Sequence, residues 1–375
     1  MEAFKQFTDW ALARGVTLDG ISTHKFPGKG FGFTADKTLE IGEIVLFAPV
    51  SILRTAHTVP KSISKRIGKI SVNGLLAAEL AMDTSGFYAP WRGALPTKQE
   101  IEDSIPFMWH PSLQELLPSA SLSLLEKQKE KLSSDWAAVS AAFSALSYEV
   151  YVYHWFIVGT RTFYYTSQKL TNINHDDCLA LIPLADVFNH ADVGCEVTFS
   201  PSGYHIRTDR RIEKGEEICI SYGNHSNDFL LAEYGFILVE NKWDEIVLDE
   251  IILPLFSEEQ LRELNEARFC GKFALSKDVV CYRTQVAVRL LCMPVKRWRH
   301  LVANGLGDDE DEYQANVDRI LMDALNPLLN VACEKIKQVD ALHCGLKSQK
   351  EILRTRWKQI HLLLTTFMSK LESNT

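Results

Sequence analysis

The sequence predicts an α+β fold in which two β regions flank a helical block and a helical region closes the chain. Glycine-punctuated runs rich in Ile, Val and Phe occur at about 20–63 and again at about 161–245. Apolar residues follow helical spacing at about 64–160 and from 246 to 375. We therefore expect one α+β domain over residues 1–245 and a second, all-α domain over residues 246–375.

The elements follow from local patterns, taken in chain order. An amphipathic N-terminal helix is predicted because apolar residues recur at helical spacing, namely Phe4, Phe7, Trp10 and Ala11. "SLSLLEKQKEKLSSDWAAVSAAFSAL" continues the helical block, whereas "CEVTFSPSGYHIRTDRRIEKGEEICISYG" alternates apolar and polar residues around Ser-Gly and Lys-Gly turns. The closing segment carries one apolar stripe, typical of a helix packed on others: Ile352, Leu353, Trp357, Ile360, Leu364 and Phe367.

The composition argues against a protein that binds nucleic acid, metal or membrane. The chain has 375 residues, 46% of them hydrophobic, and a net charge of -8. Lys and Arg form no basic blocks, so we expect no nucleic acid partner, and the acidic surface suits a basic protein substrate. The eight cysteines form no CxC or CxxC pair, which predicts reduced core thiols and no metal site. Neither a signal peptide nor an apolar run of roughly 20 residues is present, so we expect no membrane contact and a cytosolic or nuclear location.

Three short segments carry polar or glycine residues whose spacing suggests chemistry. "LADVFNHADVG" places Asp186, Asn189 and His190 where a predicted strand gives way to a turn, although Asn and Asp also form turns without any chemistry. "PGKGFGF" at 27–33 lets a backbone pass close to a ligand, but it lacks the GxGxxG spacing of a dinucleotide site. "EEICISYGNHSNDFLLAEYGF" at 216–236 supplies Tyr222 and Tyr234, which also suit ordinary core or interface positions.

Together these segments resemble the SET-domain lysine methyltransferases. The likeness rests on Gly-x-Gly-x-Gly, Arg161 in "WFIVGTRTF", Asp-x-x-Asn-His, Tyr-Gly-x-x-Ser-Asn and Tyr-Gly-Phe, which occur in that order. The helical insert, the helical C-terminal region and "ALPTKQEIEDSIPFMWHPSLQELL" are similar to the branch typified by the plant Rubisco large-subunit methyltransferase. The resemblance implies a SET β-fold with a pseudoknot, in which the Asn-His segment and the chain ending in Tyr222 pass each other.

The resemblance also implies S-adenosyl-L-methionine as the cofactor. The side chain of Asn189 and the backbone at His190 would hold it, and the backbone of the loop Lys29–Gly30–Phe31 would complete the cradle. Arg161 matches a position near the cofactor carboxylate, where a guanidinium offers two parallel donors. Asp186 would fix the loop, contact the cofactor side or cap a turn.

The acceptor side of the site would be aromatic. Tyr222 would touch the cofactor and orient the amine and the methyl group, while Tyr234 and Phe236 would line the lysine channel. Methyl transfer requires alignment and a neutral amine, and a lysine with a reference pKa of about 10.4 is mostly protonated at pH 7. A dry aromatic channel and the nearby sulfonium both disfavour the ammonium form.

The function predicted from the sequence is therefore a lysine N-methyltransferase that acts on a nonhistone protein, with the region 246–375 binding that substrate and with a monomeric chain. A histidine acceptor is the alternative enzyme, although Phe236 offers no amide to hold an imidazole. A SET-fold binding protein that has lost catalysis is the third possibility, disfavoured because Asn189, His190, Tyr222 and Tyr234 are all present.

Overall fold

The computed structural model describes residues 2–165, 177–277, 279–304 and 310–374. It divides into two compact units, one formed by Met1–Met108 with Leu125–Asn224 and the other by Trp109–Leu124 with His225–Thr375. Among the described residues, no helix is long and apolar enough to cross a membrane.

The helices, in chain order, are α1 Glu2–Leu12, α2 Lys61–Ile67, α3 Val72–Met82, α4 Ala89–Arg92, α5 Lys98–Ser104, α6 Pro111–Gln114, α7 Ser119–Ala142, α8 Tyr148–Arg161, α9 Asn227–Tyr234, α10 Asp249–Ile252, α11 Glu258–Glu266, α12 Tyr282–Arg289, α13 Val295–Asn304, α14 Glu310–Ala341 and α15 Lys347–Asn374. The strands are β1 Thr17–Leu18, β2 Ile21–Phe26, β3 Gly30–Ala35, β4 Ile44–Pro49, β5 Arg54–Thr55, β6 Thr162–Tyr164, β7 Leu179–Leu181, β8 Asn189–Ser200, β9 Gly203–Arg207, β10 Glu217–Ile220, β11 Glu245–Val247, β12 Ala274–Ser276 and β13 Val279–Val280.

The first unit is built on a seven-stranded sheet in the order β1-β4-β9-β8-β10-β3-β2, beside a three-stranded sheet in the order β5-β7-β6. Neighbouring strands of the large sheet are antiparallel except β8 and β10, which run parallel. The predicted arrangement of two β regions around a helical block is confirmed. The apolar stripe of α1 is also buried as predicted, at Phe4, Phe7, Trp10 and Ala11.

The parallel pair β8–β10 positions the functional segments. Asn189 lies opposite Cys219 and Cys195 opposite Ile220, with a register shift between the two pairs. A Cβ at Gly194 would lie 2.8 Å from the carbonyl oxygen of Cys219, so this close approach requires glycine. The two segments predicted to pass each other therefore lie side by side.

The second unit is helical, as predicted, but it is not all-α. It also contains a small antiparallel sheet in the order β11-β12-β13. Strands of two or three residues are too short for the apolar alternation that sequence patterns detect. Most of the predicted stripe of α15 is buried, namely Leu353, Trp357, Ile360, Leu364 and Phe367, whereas Ile352 is only partly buried.

Two further sequence-based expectations need correction. The β part predicted up to residue 245 contains helix α9, which begins where the Ser226 hydroxyl caps the amide of Phe229. All eight cysteines are free thiols, but only Cys178 and Cys195 are buried, while Cys333 is exposed. A single small thiol is tolerated at either kind of position, so the residue type alone does not predict burial.

A buried ion cluster ties α9 to α15 within the second unit. Arg356 is fully buried, and its Nε and Nη2 donate to the two carboxylate oxygens of Asp228 at 2.8 and 3.0 Å. Its Nη1 donates to Asp244 at 2.6 Å. Longer contacts run from Nη2 to the Glu245 carbonyl at 3.4 Å and from Nη1 to Gln359 at 3.5 Å. Every nitrogen of this guanidinium therefore has a partner.

Candidate active site

The Asp-x-x-Asn-His segment forms a short 3₁₀ turn, Ala185–Val187, which leads into β8 at Asn189. Leu184, just before the turn, has φ +66°, a left-handed conformation that a leucine rarely adopts. Such strain persists only where the surrounding structure enforces it, and the Leu184 side chain is fully buried. The strained Leu184 therefore lies five positions before Asn189, in a conformation that the surrounding packing maintains.

The amide of Asn189 lies between the glycine-rich strand and β10. Its Nδ2 donates to Glu217 Oε1 at 2.8 Å, and Glu217 Oε2 accepts from Lys29 Nζ at 2.6 Å. A Cβ at Gly32 would lie 2.6 Å from Asn189 Nδ2, so any larger residue here would displace the Asn189 amide. The structure thus brings together the first two predicted segments, and it adds Glu217, which the sequence analysis missed.

The glycine-rich loop presents an open face beside this amide. Gly30 has φ +81°, and a Cβ placed on it would meet no atom within 4 Å. The Lys29 amide donates to the Phe26 carbonyl within the turn, and the Phe31 ring stacks on Phe4 at 3.8 Å between ring centroids. The loop is therefore anchored at Lys29 and Phe31 while its glycine stays accessible, which suits the predicted cradle.

His190 and Tyr222 contact each other through both backbone and side chain. The buried His190 ring accepts a hydrogen bond from the Tyr222 amide at its Nδ1, at 3.0 Å, and the two ring centroids lie 5.0 Å apart. The Tyr222 hydroxyl donates to the Phe188 carbonyl at 2.7 Å. The prediction used only the backbone of His190, whereas its side chain positions Tyr222. Because the two residues are 32 positions apart, local sequence patterns do not reveal this contact.

Asp186 and Arg161 meet through the backbone. Arg161 Nη1 donates to the Asp186 carbonyl, while Trp91 Nε1 donates to Asp186 Oδ2 at 3.0 Å. Burial raises the pKa of Asp186 to about 6, although the positive charge of Arg161 opposes this change. Among the described residues, Asp186 Oδ1 and Arg161 Nε are buried without hydrogen-bond partners. This geometry favours loop fixing, among the predicted roles of Asp186.

Tyr234 and Phe236 belong to the second unit and lie beside each other there. Tyr234 ends α9, and Gly235 with φ +77° turns the chain so that the ring centroids of Tyr234 and Phe236 are 6.1 Å apart. Burial raises the pKa of Tyr234 to about 12. These two half-buried residues therefore form an aromatic surface. Over the described parts of the chain, no three His, Cys, Asp or Glu side chains are grouped to hold a metal ion.

The chain is similar to known SET-domain proteins over nearly its whole length. Residues 30–223 match the SET domain family and residues 244–370 match the Ribosomal lysine N-methyltransferase 2 C-terminal domain. Ribosomal lysine N-methyltransferase set11 of Schizosaccharomyces pombe is 33% identical over 75% of this chain and 73% of that protein. SET domain-containing protein 4 of Mus musculus is 25% identical over 96% of this chain and 90% of that protein.

Two more distant comparisons are with a histidine methyltransferase and with a solved structure of the same fold. Actin-histidine N-methyltransferase of Xenopus tropicalis is 25% identical over 65% of this chain and 44% of that protein. The solved structure of Rubisco LSMT bound to AdoMet has a TM-score of 0.70 at 17% identity and covers 99% of this chain and 92% of that one, which shows the shared fold. Since the SET match spans more than half of the sequence, the chain belongs to the SET-domain family of protein-lysine methyltransferases.

Proposed function

We propose that this protein transfers a methyl group from S-adenosylmethionine to the side-chain amine of a lysine in a ribosomal protein. The observation that supports the cofactor site best is the convergence of the glycine-rich loop, Asn189 and Tyr222 on the β8–β10 pair. The ribosomal substrate is supported by the 33% identity to Ribosomal lysine N-methyltransferase set11 and by the match at 244–370.

The residues fit this cofactor. Gly32 leaves room where a Cβ would collide with Asn189, Gly30 borders open space, and Arg161 has a buried Nε without a partner among the described residues. Asn189, the loop 29–31, His190 and Arg161 would hold the cofactor, whose contribution is a methyl group activated on a sulfonium. Asp186 would hold the loop in place.

Tyr222 would align the acceptor. Because its hydroxyl hydrogen is donated to Phe188, the oxygen would face the amine as a hydrogen-bond acceptor and point the nitrogen lone pair toward the methyl group. Tyr234 and Phe236 would line the lysine channel, where poor hydration favours the neutral amine. In this proposal the helical region 246–375 binds the protein substrate, the chain works as a monomer, and the enzyme is located in the cytoplasm, the nucleus or both.

Histidine is the second candidate acceptor, because actin-histidine methyltransferase is among the relatives. Phe236 offers no hydrogen-bonding group for an imidazole, so lysine is the better match. The test is to incubate the enzyme with tritiated cofactor and purified ribosomal subunits, locate the labelled peptide by mass spectrometry and identify the methylated amino acid after hydrolysis. Methyl-lysine in a ribosomal protein supports the proposal, and methyl-histidine or an unlabelled ribosome contradicts it.

The matched controls for this assay are two tyrosine variants. Tyr222→Phe should abolish most labelling. Tyr204→Phe removes a hydroxyl that donates to the Tyr164 carbonyl elsewhere in the first unit, so it should leave labelling unchanged. Equal labelling by both variants would remove Tyr222 from the mechanism.

A further inference from the structure

The Asn189 side chain has one defined orientation in this structure. Its Nδ2 lies 2.8 Å from Glu217 Oε1, and an ionised carboxylate can accept hydrogen bonds but cannot donate them. The amide nitrogen must therefore face Glu217, and the amide oxygen must face away from it. Among the residues that the structure describes, Asn189 Oδ1 has no hydrogen-bond partner, so it is available as an acceptor.

Glu217 is itself held on its other side. Its Oε2 accepts from Lys29 at 2.6 Å, and its side chain is 17% exposed, against 54% for Lys29. Glu217 opens β10, where it pairs with Thr34 of β3. The carboxylate therefore connects the glycine-rich loop, through Lys29, with the start of β8, through Asn189.

We propose that Glu217 is a positioning residue for the cofactor site, which acts by presenting Asn189 Oδ1 to a cationic hydrogen-bond donor. In S-adenosylmethionine, the cationic hydrogen-bond donor is the α-ammonium group. The inference therefore rests on the proposed function, which names this cofactor. If the amide were reversed, its NH₂ group would face the ammonium and would offer no acceptor. Lys29 contributes by fixing the rotamer of Glu217.

The test is a paired substitution read out by calorimetric binding of S-adenosylhomocysteine. In Asn189→Asp, two carboxylates would face each other at hydrogen-bond distance, and their repulsion would turn the introduced carboxylate away from Glu217 and out of the position that faces the donor. We expect affinity to fall about 10- to 100-fold, the range for losing a hydrogen bond to a charged group. Adding Glu217→Gln supplies an amide donor to the carboxylate introduced at position 189, so the double variant should recover to within about threefold of the wild type.

The affinity for a second ligand distinguishes a positioning role of Glu217 from a general disruption of the binding site. 5′-Methylthioadenosine lacks the amino acid part of the cofactor, so its affinity should change less than about threefold in every variant. Lys29→Met should weaken S-adenosylhomocysteine binding by a few-fold and leave 5′-methylthioadenosine unchanged, which provides a test even if Asn189→Asp fails to fold. Glu216→Gln is the matched control, because this neighbouring carboxylate pairs with Arg210 at 2.9 Å and is exposed, and binding should be unchanged.

The outcomes distinguish this inference from the proposed function. If wild-type protein binds neither ligand, the proposed function itself fails. If wild-type protein binds S-adenosylhomocysteine but the double variant stays as weak as Asn189→Asp, the role of Glu217 is wrong while the proposed function stands. Equal losses for both ligands in Asn189→Asp and in Lys29→Met would also overturn the inference, since only the amino acid part should be affected.

Discussion

Two polar clusters, one in each unit, differ in how completely their hydrogen-bonding groups are paired. Around Arg356 in the second unit, each guanidinium nitrogen donates to a described partner, and Asp228 is engaged through both of its oxygens. Around Asn189 in the first unit, the amide nitrogen is engaged by Glu217 while the amide oxygen has no partner among the described residues. Complete pairing of a buried guanidinium indicates a structural role. A partly buried amide oxygen without a protein partner can instead accept a hydrogen bond from a ligand.

The largest expected effect comes from breaking the structural cluster. Arg356→Met leaves the carboxylates of Asp228 and Asp244 without their counter-charge, so the free energy of unfolding should fall by about 3–5 kcal/mol. Arg354→Gln is the matched control on the same helix, because Arg354 forms a partly exposed pair with Asp340 and should cost less than about 1 kcal/mol. Urea denaturation measures both. Equal losses would mean that Arg356 contributes no more than a surface ion pair.

The next effect should be catalytic and leave the fold intact. Tyr222→Phe keeps the ring and removes the hydroxyl that contacts Phe188, so single-turnover methylation should slow about 100- to 1000-fold. Stability should change by only about 0.5–1.5 kcal/mol, the range for one lost hydrogen bond. Rapid-quench assays and thermal melting on the same preparation check both quantities. Near wild-type turnover would show that Tyr222 is structural, like the Arg356 cluster.

Asp186 is intermediate between the two clusters, because Oδ2 is paired with Trp91 while Oδ1 is not. Its folded-state pKa is raised from 3.8 to about 6, so the native state holds this proton more tightly than the unfolded chain. The resulting stabilisation is present below pH 4 and is lost as the pH rises through about 6. At about 1.4 kcal/mol per pKa unit, the effect is at most about 3 kcal/mol.

Asp186→Asn should remove this part of the pH dependence while keeping an acceptor for Trp91. The stability of the wild type relative to this variant should therefore decrease between pH 4 and pH 6, as measured by denaturant unfolding at a series of pH values. Parallel pH profiles for the two proteins would show that Asp186 is already ionised in the folded state across this range.

The smallest effect on stability should come from Asn189→Ala. Its amide contributes one internal hydrogen bond to Glu217, so the melting temperature should change little, whereas affinity for S-adenosylhomocysteine should fall about 10- to 100-fold. Titration calorimetry measures the affinity. Unchanged affinity would exclude Asn189 from the site and would make its cluster structural as well.

The sequence predicted the order of elements and the segments of the site better than the contacts within the site. The helical stripes and the Asp-x-x-Asn-His segment are local patterns, so periodicity and spacing detect them. The contacts Asn189–Glu217 and His190–Tyr222 depend on the register of a parallel strand pair, and no local pattern specifies that register. The Arg356–Asp228 pair joins residues 128 positions apart, which local patterns also cannot reveal.

The parallel pairing of β8 with β10 also bears on how the enzyme acquires its site during folding. Thr34 pairs with Glu217 and Asn189 pairs with Cys219, so the loop, β8 and β10 can meet only after long stretches of chain have been brought together. Such non-local pairing forms slowly compared with helices. We therefore expect helical circular dichroism to return early in refolding and the capacity to bind cofactor to return late, so that a nascent chain acquires catalytic competence only after β10 has joined the sheet.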